Sequence, residues 1–301
     1  MLKLGQNLGT HATPKAGFPL DEISVAPVGA WSRRKLASGY TGNPLNIIVG
    51  TEQADVVFDR NNEVSFTSLM SSAEASENGK TLRNFVKDND GGLANVVTWY
   101  DQSGGTARNA TQSTADDRPI LVQGLELVEQ KSLLFSDDYF KVLNYAFPNP
   151  DDSCTILAVA RPTNSDTMGI VTDIENFNDG VELIYDSSSW DWRIKNTDLN
   201  NNPIDPNING KLQLCIAVYD TSRNLQELYV NGKVVSQSCT ENKHVASTDR
   251  FRIGARVTTN NQMDGNIAEA MIWDSALSSS DIEKLQNNIF IHYSIPKGSA
   301  G

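Results

Sequence analysis

The dipeptide Asn231-Gly232, set between Leu228-Tyr229-Val230 and Lys233-Val234-Val235, constrains this chain more than any other feature. Two β-prone runs only two residues apart predict a tight hairpin. The type I′ turn that matches strand twist needs positive φ at both central residues, which Asn and Gly supply. The local structure is therefore antiparallel, and the flanking sequence extends it. Leu212, Leu214, Ile216 and Val218 alternate with Gln213, Cys215, Ala217 and Tyr219, the period of a strand. Residues 154–160 are apolar on both faces, as a central sandwich strand must be. Further strands are predicted at residues 45–49, 54–58 and 94–100, at Phe251 and Ile253, and over 267–273. Helical spacing is confined to two places. Leu82, Phe85 and Val86 share a face, and Ser280-Asp281-Ile282-Glu283 fits a capping box ahead of Ile282, Leu285 and Ile289. Many short strands with turns between them and one terminal helix predict a sandwich or jelly roll, against alternating βαβ units.

Charge narrows the partners. A formal net charge of −12 over 301 residues repels phosphate backbones and anionic lipid, which argues against nucleic acid and membrane surfaces. No run approaches the roughly 20 apolar residues of a membrane-spanning helix. Residues 1–8 hold no apolar core of the kind a secretory leader needs. Cys154, Cys215 and Cys239 are odd in number and widely spaced, so neither a disulfide framework nor a CxxC metal pair is expected. These features together predict folding in a cytoplasm. His11, His244 and His292 are isolated from any second ligand at metal spacing.

Gly5, Gly9, Pro14, Gly17, Pro19 and Pro27 make residues 1–28 an extended arm. Its apolar side chains (Leu2, Leu4, Leu8, Phe18, Leu20, Ile23, Val25) are too many for a solvent linker, so the arm packs either along its own domain or on a neighbouring subunit. The sandwich is expected over 29–295, with a flexible tail over 296–301.

Two groups of residues carry a resemblance. Ala30-Trp31-Ser32-Arg33-Arg34-Lys35-Leu36-Ala37-Ser38-Gly39-Tyr40-Thr41-Gly42, then Val97-Thr98-Trp99-Tyr100-Asp101-Gln102-Ser103-Gly104 and Asn109-Ala110-Thr111-Gln112, resemble the catalytic-domain family of α-L-arabinofuranosidase B. Leu228 to Lys233, Arg252-Ile253-Gly254, Asp264 to Glu269 and Trp273 to Ser278 are similar to the end of laminin-G-like jelly rolls. Both imply an all-β, concanavalin A-like (laminin-G type) β-sandwich jelly roll, here with an extended N-terminal arm and one short C-terminal helix.

The arabinofuranosidase resemblance also implies a retaining glycosidase, which needs two carboxyl groups about 5 Å apart. The family's acid/base Asp follows a strand ending Ile-Gly, where this chain has Arg256. Its nucleophile lies in a strand with D-x-E character, whereas residues 190–196 contain no Glu, and the family's adjacent cysteine pair is reduced to Cys154. An Arg cannot donate and recover a proton near neutral pH. Other acids crowd the region: Glu175, Asp179, Glu182, Asp186 and Asp191, with Glu269 on a late strand. They read either as solvated carboxylates or as substitute catalysts. Asn176, Asn178 and Asp179 offer the oxygen ligands that Ca²⁺ prefers, without EF-hand spacing, and no other cofactor is expected.

Trp190 and Trp192 stand two apart and share one strand face, beside Tyr185, Asp191 and Glu269. They read either as core aromatics or as a face on which sugar rings stack. Asp101, Gln102 and Gly104 read as a structural turn, because Asp bonds its own backbone and Gly takes positive φ. The Trp99 to Gly104 run together with the laminin-G pattern, after an M-L-K-L-G-x-x-L-G opening, resembles virion structural proteins of tailed bacteriophages. That implies a non-enzymatic tail-fibre, appendage or capsid-decoration protein, made in the host cytoplasm and carried on the virion. The arm would join other virion proteins or sister subunits of a homo-oligomer, and the sandwich would bind cell-surface glycan. The alternatives are an active α-L-arabinofuranosidase-like glycoside hydrolase and a module without ligand.

Overall fold

The computed structural model describes residues 16–89, 91–143, 145, 152–163, 166–174, 180–194, 197–201, 211–240, 251–257 and 260–298. Strands β1 (Gly29–Ser32), β2 (Leu45–Val49), β3 (Glu52–Val56) and β4 (Met70–Ser71) precede helix α1 (Leu82–Asp88). Then come β5 (Leu93–Trp99), β6 (Ala110–Thr111), β7 (Ile120–Gln123), β8 (Glu126–Leu127), β9 (Leu133–Asp138) and β10 (Phe140–Val142). They are followed by β11 (Cys154–Pro162), β12 (Met168–Asp173), β13 (Val181–Asp186), β14 (Ser189–Ile194) and β15 (Thr197–Asn201). The last group is β16 (Gln213–Asp220), β17 (Leu225–Val230), β18 (Lys233–Ser238), β19 (Phe251–Ile253), β20 (Ala255–Val257) and β21 (Asn260–Trp273), before helix α2 (Ser279–Tyr293).

Antiparallel pairing arranges these strands in two layers. A back layer runs β18-β17-β16-β11-β21-β1. A front layer runs β4-β3-β2-β5-β6-β10-β19-β12-β13-β14-β15. Strands β9 and β7 bridge the layers by pairing with β21 and β5. The hairpin turn is as expected: Asn231 and Gly232 have φ of 50° and 87°.

One apolar cluster fills the space between the layers. Trp31, Ile156, Ala158, Cys215, Ala217, Ala270 and Ile272 enter it from the back, and Leu45, Ile47, Val96, Trp99, Phe140, Leu183, Trp190 and Trp192 from the front. A second cluster lies behind the back layer, where Leu157, Val159, Leu214, Ile216, Val218 and Met271 meet Ile282, Leu285 and Ile289 of α2. Burial on both sides explains why residues 154–160 are apolar apart from Thr155, whose hydroxyl donates to Ser275 O. Each fully buried Leu or Ile contributes about 1.5–3 kcal/mol. Cys154, Cys215 and Cys239 are buried.

The structure adds four details. The N-cap of α2 is Ser278, whose hydroxyl accepts from the Asp281 amide at 3.2 Å, so the cap lies two residues earlier than predicted. Ala268 packs behind the back layer and not with Ala270 and Ile272. A register shift between Val159 and Ala160 opposite it leaves Ala268 as the extra residue of a bulge. The arm is tied to its own domain from Gly17 onward. Asn288 donates to Gly17 O, Leu20 N to Leu36 O, Ser24 Oγ to Asp281, Val28 N to Ile272 O, and Trp273 Nε1 to Val25 O; residues 1–15 lie outside the described residues. Finally, Gly298 N donates to Asn231 O at 2.7 Å, so the expected flexible tail is tied down as far as Gly298, and residues 299–301 lie outside the described residues.

Candidate functional site

Directly opposed residues on neighbouring strands project to the same side of a sheet. Following the register across the front layer gives Asp55, Asn46, Thr98, Thr111, Lys141, Arg252, Thr172, Glu182, Arg193 and Asp198, one residue from each of ten strands. Their neighbours along each strand, such as Leu45, Trp99, Val142, Ile253, Val171, Leu183 and Trp192, are buried in the core. The front layer therefore turns a continuous polar row away from the core. This is the face on which a polar ligand can lie.

The middle of the row is covered. Gly254, at φ 94°, turns the chain after β19 so that residues 255–256 pass over β12. A Cβ at Gly169 would fall 2.2 Å from the Ala255 carbonyl carbon, so only glycine admits the crossing. Thr172 Oγ1 donates to Ala255 O at 2.7 Å, fixing it. The crossing delivers Arg256 onto Glu182, with Nε–Oε1 3.1 Å and Nη2–Oε2 2.6 Å, and both side chains are buried. Burial lifts the Glu182 carboxyl above the usual carboxylate range, and the Arg256 guanidinium works against that lift. Arg256, where the resemblance expects a proton-transferring Asp, is a bidentate structural partner.

Beyond the crossing the face opens into a depression of about 480 Å³ lined by Asp186, Ser187, Ser189, Asp191, Arg193 and Asn200. Arg193 organises it: its Nη2 lies 3.2 Å from Asp186 Oδ2 and 3.1 Å from Asp191 Oδ2, and its Nε 3.2 Å from Asp198 Oδ1. Burial pushes the Asp191 carboxyl up to about 6, against the pull of Arg193. Asp186 moves the other way: although partial burial works against it, bonds from Thr167, Ser187 and Arg193 hold its carboxyl below the usual range.

The sugar-stacking reading of Tyr185, Trp190 and Trp192 is corrected. Their face of the β13–β14 hairpin is the core face: both indoles are 0% exposed and Tyr185 is 6%. Trp190 Nε1 donates to Gln213 Oε1 at 2.8 Å, and Tyr185 meets the Trp190 ring edge-on at 5.4 Å. A sugar could reach these rings only by opening the sandwich. Glu269 is corrected too. It is 0% exposed and faces α2, where it accepts from Arg34, Ser32 Oγ and Tyr293 Oη. Of the five glycan candidates only Asp191 lies on the open face. Arg193 and Asn200 were missed, although Arg193 stands in the same short run as both tryptophans. Among the described residues no cluster of His, Cys, Asp or Glu could hold a metal ion, and Glu175, Asn176, Asn178 and Asp179 lie outside them.

The Asp101 turn does what its chemistry predicts. The carboxylate accepts from Ala30 N at 2.9 Å, Ser103 N at 2.9 Å, Ser103 Oγ at 2.9 Å and Arg108 N at 3.0 Å. Gln102 accepts from Leu36 N and donates to the carbonyls of Ser32 and Arg34, and Gly104 has φ 81°. This run is a clasp that joins the β5 end to the segment after β1.

Comparison with known proteins agrees with this architecture. A laminin-G model, described as the concanavalin A-like lectin/glucanases superfamily, matches residues 135–283. No curated protein matches the chain in sequence. An arabinofuranosidase solved with arabinofuranosyl-α-1,2-xylobiose superposes with a TM-score of 0.64 at 14% identity, over 92% of this chain and 65% of that one. A GH54 α-L-arabinofuranosidase soaked with a cyclic sulfate inhibitor gives 0.62 at 14% identity, over 89% and 63%. The binding domain of Paraclostridial Mosquitocidal Protein 1 gives 0.50 at 18% identity, over 68% and 53%. The chain spans just under two thirds of the length of the arabinofuranosidases, and at such identities the likeness is one of fold. Strand order, core and superfamily match converge on one architecture: the chain folds as a concanavalin A-like β-sandwich, and its residues 135–283 are similar to laminin-G domains.

Proposed function

We propose that this protein is a non-catalytic, glycan-recognising sandwich carried on the virion of a tailed phage, with its N-terminal segment as the point of attachment. The observation that carries the first part is the Glu182–Arg256 pair. The position that would exchange a proton holds a guanidinium locked to the nearest buried Glu, while the polar depression beside it stays open. A face that keeps hydrogen-bonding groups for a polyol without a free acid/base pair supports recognition without bond cleavage. The virion placement rests on the resemblance of the sequence to phage structural proteins.

A second reading has an observation of its own. Asp186 and Asp191 share one guanidinium, and their carboxyls are displaced in opposite directions, as acid/base pairs are. One assay separates the two. Incubation with 4-nitrophenyl α-L-arabinofuranoside should release no nitrophenol, while a glycan array should show binding that Arg193→Ala weakens. Release that Asp191→Asn abolishes would establish the hydrolase instead. Mass spectrometry of purified particles from the source lysate checks the placement: absence of the protein there refutes it.

A further inference from the structure

At the other end of the polar row lies a separate cavity of about 400 Å³, a size typical of small-molecule sites. It is lined by Tyr40, Asn43, Asp55, Tyr100, Gly105 and Asn109, with Gly42, Asp101, Gly104 and Ala107 completing the wall. Asp55 starts the ladder whose far end is the Arg193 depression, so both open on the front face.

Its two aromatic rings are half-buried and held at their hydroxyls. Tyr100 Oη donates to Asp55 Oδ1 at 2.8 Å, and Tyr40 Oη to Asn43 O at 2.8 Å. Tyr40 also meets Phe58 edge-on at 6.3 Å and rests on Gly42, where a Cβ would come within 2.5 Å of its hydroxyl. Burial, with Asp101 and Asp55 nearby, pushes the Tyr40 phenol up to about 12, and burial with the Asp55 bond raises Tyr100 as well. Both phenols keep their protons, and both rings stay in place. Fixed aromatic walls lower the ordering cost of binding.

The polar groups are partly used and partly free. Asp55 accepts three bonds, from Tyr100 Oη, Asn46 Nδ2 and Asn43 Nδ2, of the roughly four that a carboxylate can take. Asn109 Oδ1 accepts from Asp101 N, while its Nδ2 donates to no partner among the described residues. A spare acceptor beside a spare amide donor suits hydroxyls, each of which both gives and receives. Asp101 is saturated by four donors, and Asp55 is already served by neutral ones, so the pair does not form a cation cage. The lining contains two carboxylates and no Lys or Arg, which repels anions.

Gly105 adds an independent sign. It has no positive φ, and a Cβ there would meet nothing within 4 Å, so neither the turn nor packing requires glycine. Its missing side chain keeps the mouth open at an exposed stretch of backbone, as where backbone approaches a ligand.

We infer that the Tyr40–Tyr100–Asp55 cavity is a second saccharide site, selective for neutral sugars, with the ring against the tyrosines and hydroxyls on Asp55 and Asn109. It rests on the reading of the front face as glycan-recognising, and adds a site remote from Arg193. The test is an amide NMR titration of the whole chain with methyl α-L-arabinofuranoside, methyl β-D-galactopyranoside, methyl α-D-glucopyranoside, N-acetylglucosamine and, as the acidic probe, N-acetylneuraminic acid. At least one neutral sugar should shift Tyr100, Gly104, Gly105 and Asn109. Tyr100→Ala and Ala107→Trp should each weaken that binding at least tenfold, while Arg193→Ala leaves it unchanged. Ala107 is exposed, so Ala107→Trp fills the mouth without disturbing the core and serves if Tyr100→Ala unfolds. The inference is overturned if no neutral sugar moves these amides, if the shifts survive both variants, or if N-acetylneuraminic acid moves them equally. Shifts confined to residues 186–193 would sink this site and leave the proposed function standing. Silence at both ends would sink both.

Discussion

Replacing Glu269 by Gln tests whether this carboxylate is a structural bolt or a ligand contact. Its Oε1 accepts from Arg34 Nε, Ser32 Oγ and Tyr293 Oη, and its Oε2 from Arg34 Nη2 at 3.3 Å. The group thus joins β21, the segment after β1 and α2 in one buried cluster. Although burial opposes the charge of Arg34, the Glu269 carboxylate holds that guanidinium above its ordinary range. A Gln side chain keeps one oxygen for the two hydroxyls, so their bonds survive. Its amide nitrogen, however, faces Arg34 Nη2, donor against donor, and the charge of Arg34 loses its counterpart. Removing one member of a buried pair costs about 3–5 kcal/mol. Asn288 Oδ1 still accepts from Arg34 Nη1 at 2.8 Å, which places the expected loss near the lower end, about 3 kcal/mol. Arg34→Met in the same chain removes the stranded charge and should return roughly 2 kcal/mol of it. Urea unfolding followed by tryptophan fluorescence reads this directly, because all five tryptophans are fully buried. A loss under about 1 kcal/mol, or additive single and double variants, would refute the bolt. Loss of glycan binding at full stability would restore Glu269 as a contact residue.

Four further outcomes are expected. Trp192→Ala should cost about 3–5 kcal/mol as a core truncation, while Trp192→Phe should leave glycan binding intact; selective loss of binding in the stable variant would contradict the core assignment. Burial pushes Asp138 and Asp191 up to about 6, against about 3.9 in an unfolded chain. The folded state binds the extra protons in that window, so stability falls as pH rises from about 4 to about 6, and Asp138→Asn or Asp191→Asn should flatten the fall. His292 acts with the opposite sign. Burial, with Arg34 and Lys131 nearby, holds it down to about 2, so stability is lost as pH drops below about 6.5, and His292→Gln should remove that loss. Deleting residues through Val28 strips the bonds to Asp281, Ile272 and Trp273, and should lower the thermal midpoint; an unchanged midpoint would show that the arm only decorates the surface.

Much of the fold was legible because its strongest signals are local. The Asn231-Gly232 turn, the doubly apolar run at 154–160 and the stripe Ile282, Leu285, Ile289 each depend on a few neighbouring residues. The candidate site was not, since alternation says which residues share a face but not which face is buried. In residues 189–194 the choice lay between Trp190, Trp192 and Ile194 on one side and Asp191 and Arg193 on the other. Only the back layer decides it, by supplying Gln213 and Gln226 to bond Trp190 Nε1 and Trp192 O. The bulge at Ala268 was hidden for the same reason, as it belongs to a pairing register. The Tyr40 cavity joins residues far apart in sequence through the β2–β3 and β2–β5 registers. Its only local trace was the recurrence of Gly around Tyr40 and after Tyr100.

The pairing of β1 with β21 has a consequence for how this chain comes to be folded. Gly29 faces Ile272, so a strand made early finds its partner only after about 240 further residues have been synthesised. At about 5–20 residues per second, β1 waits roughly 10–50 s with an unpaired edge. The strand it waits for also completes the edges of β9 and β11. Three incomplete edges are thus closed by one late segment, and a shortened chain lacking it exposes all three to other copies of itself. Yield of native protein should therefore depend more on how quickly residues 260–273 arrive than on the stability of the finished sandwich.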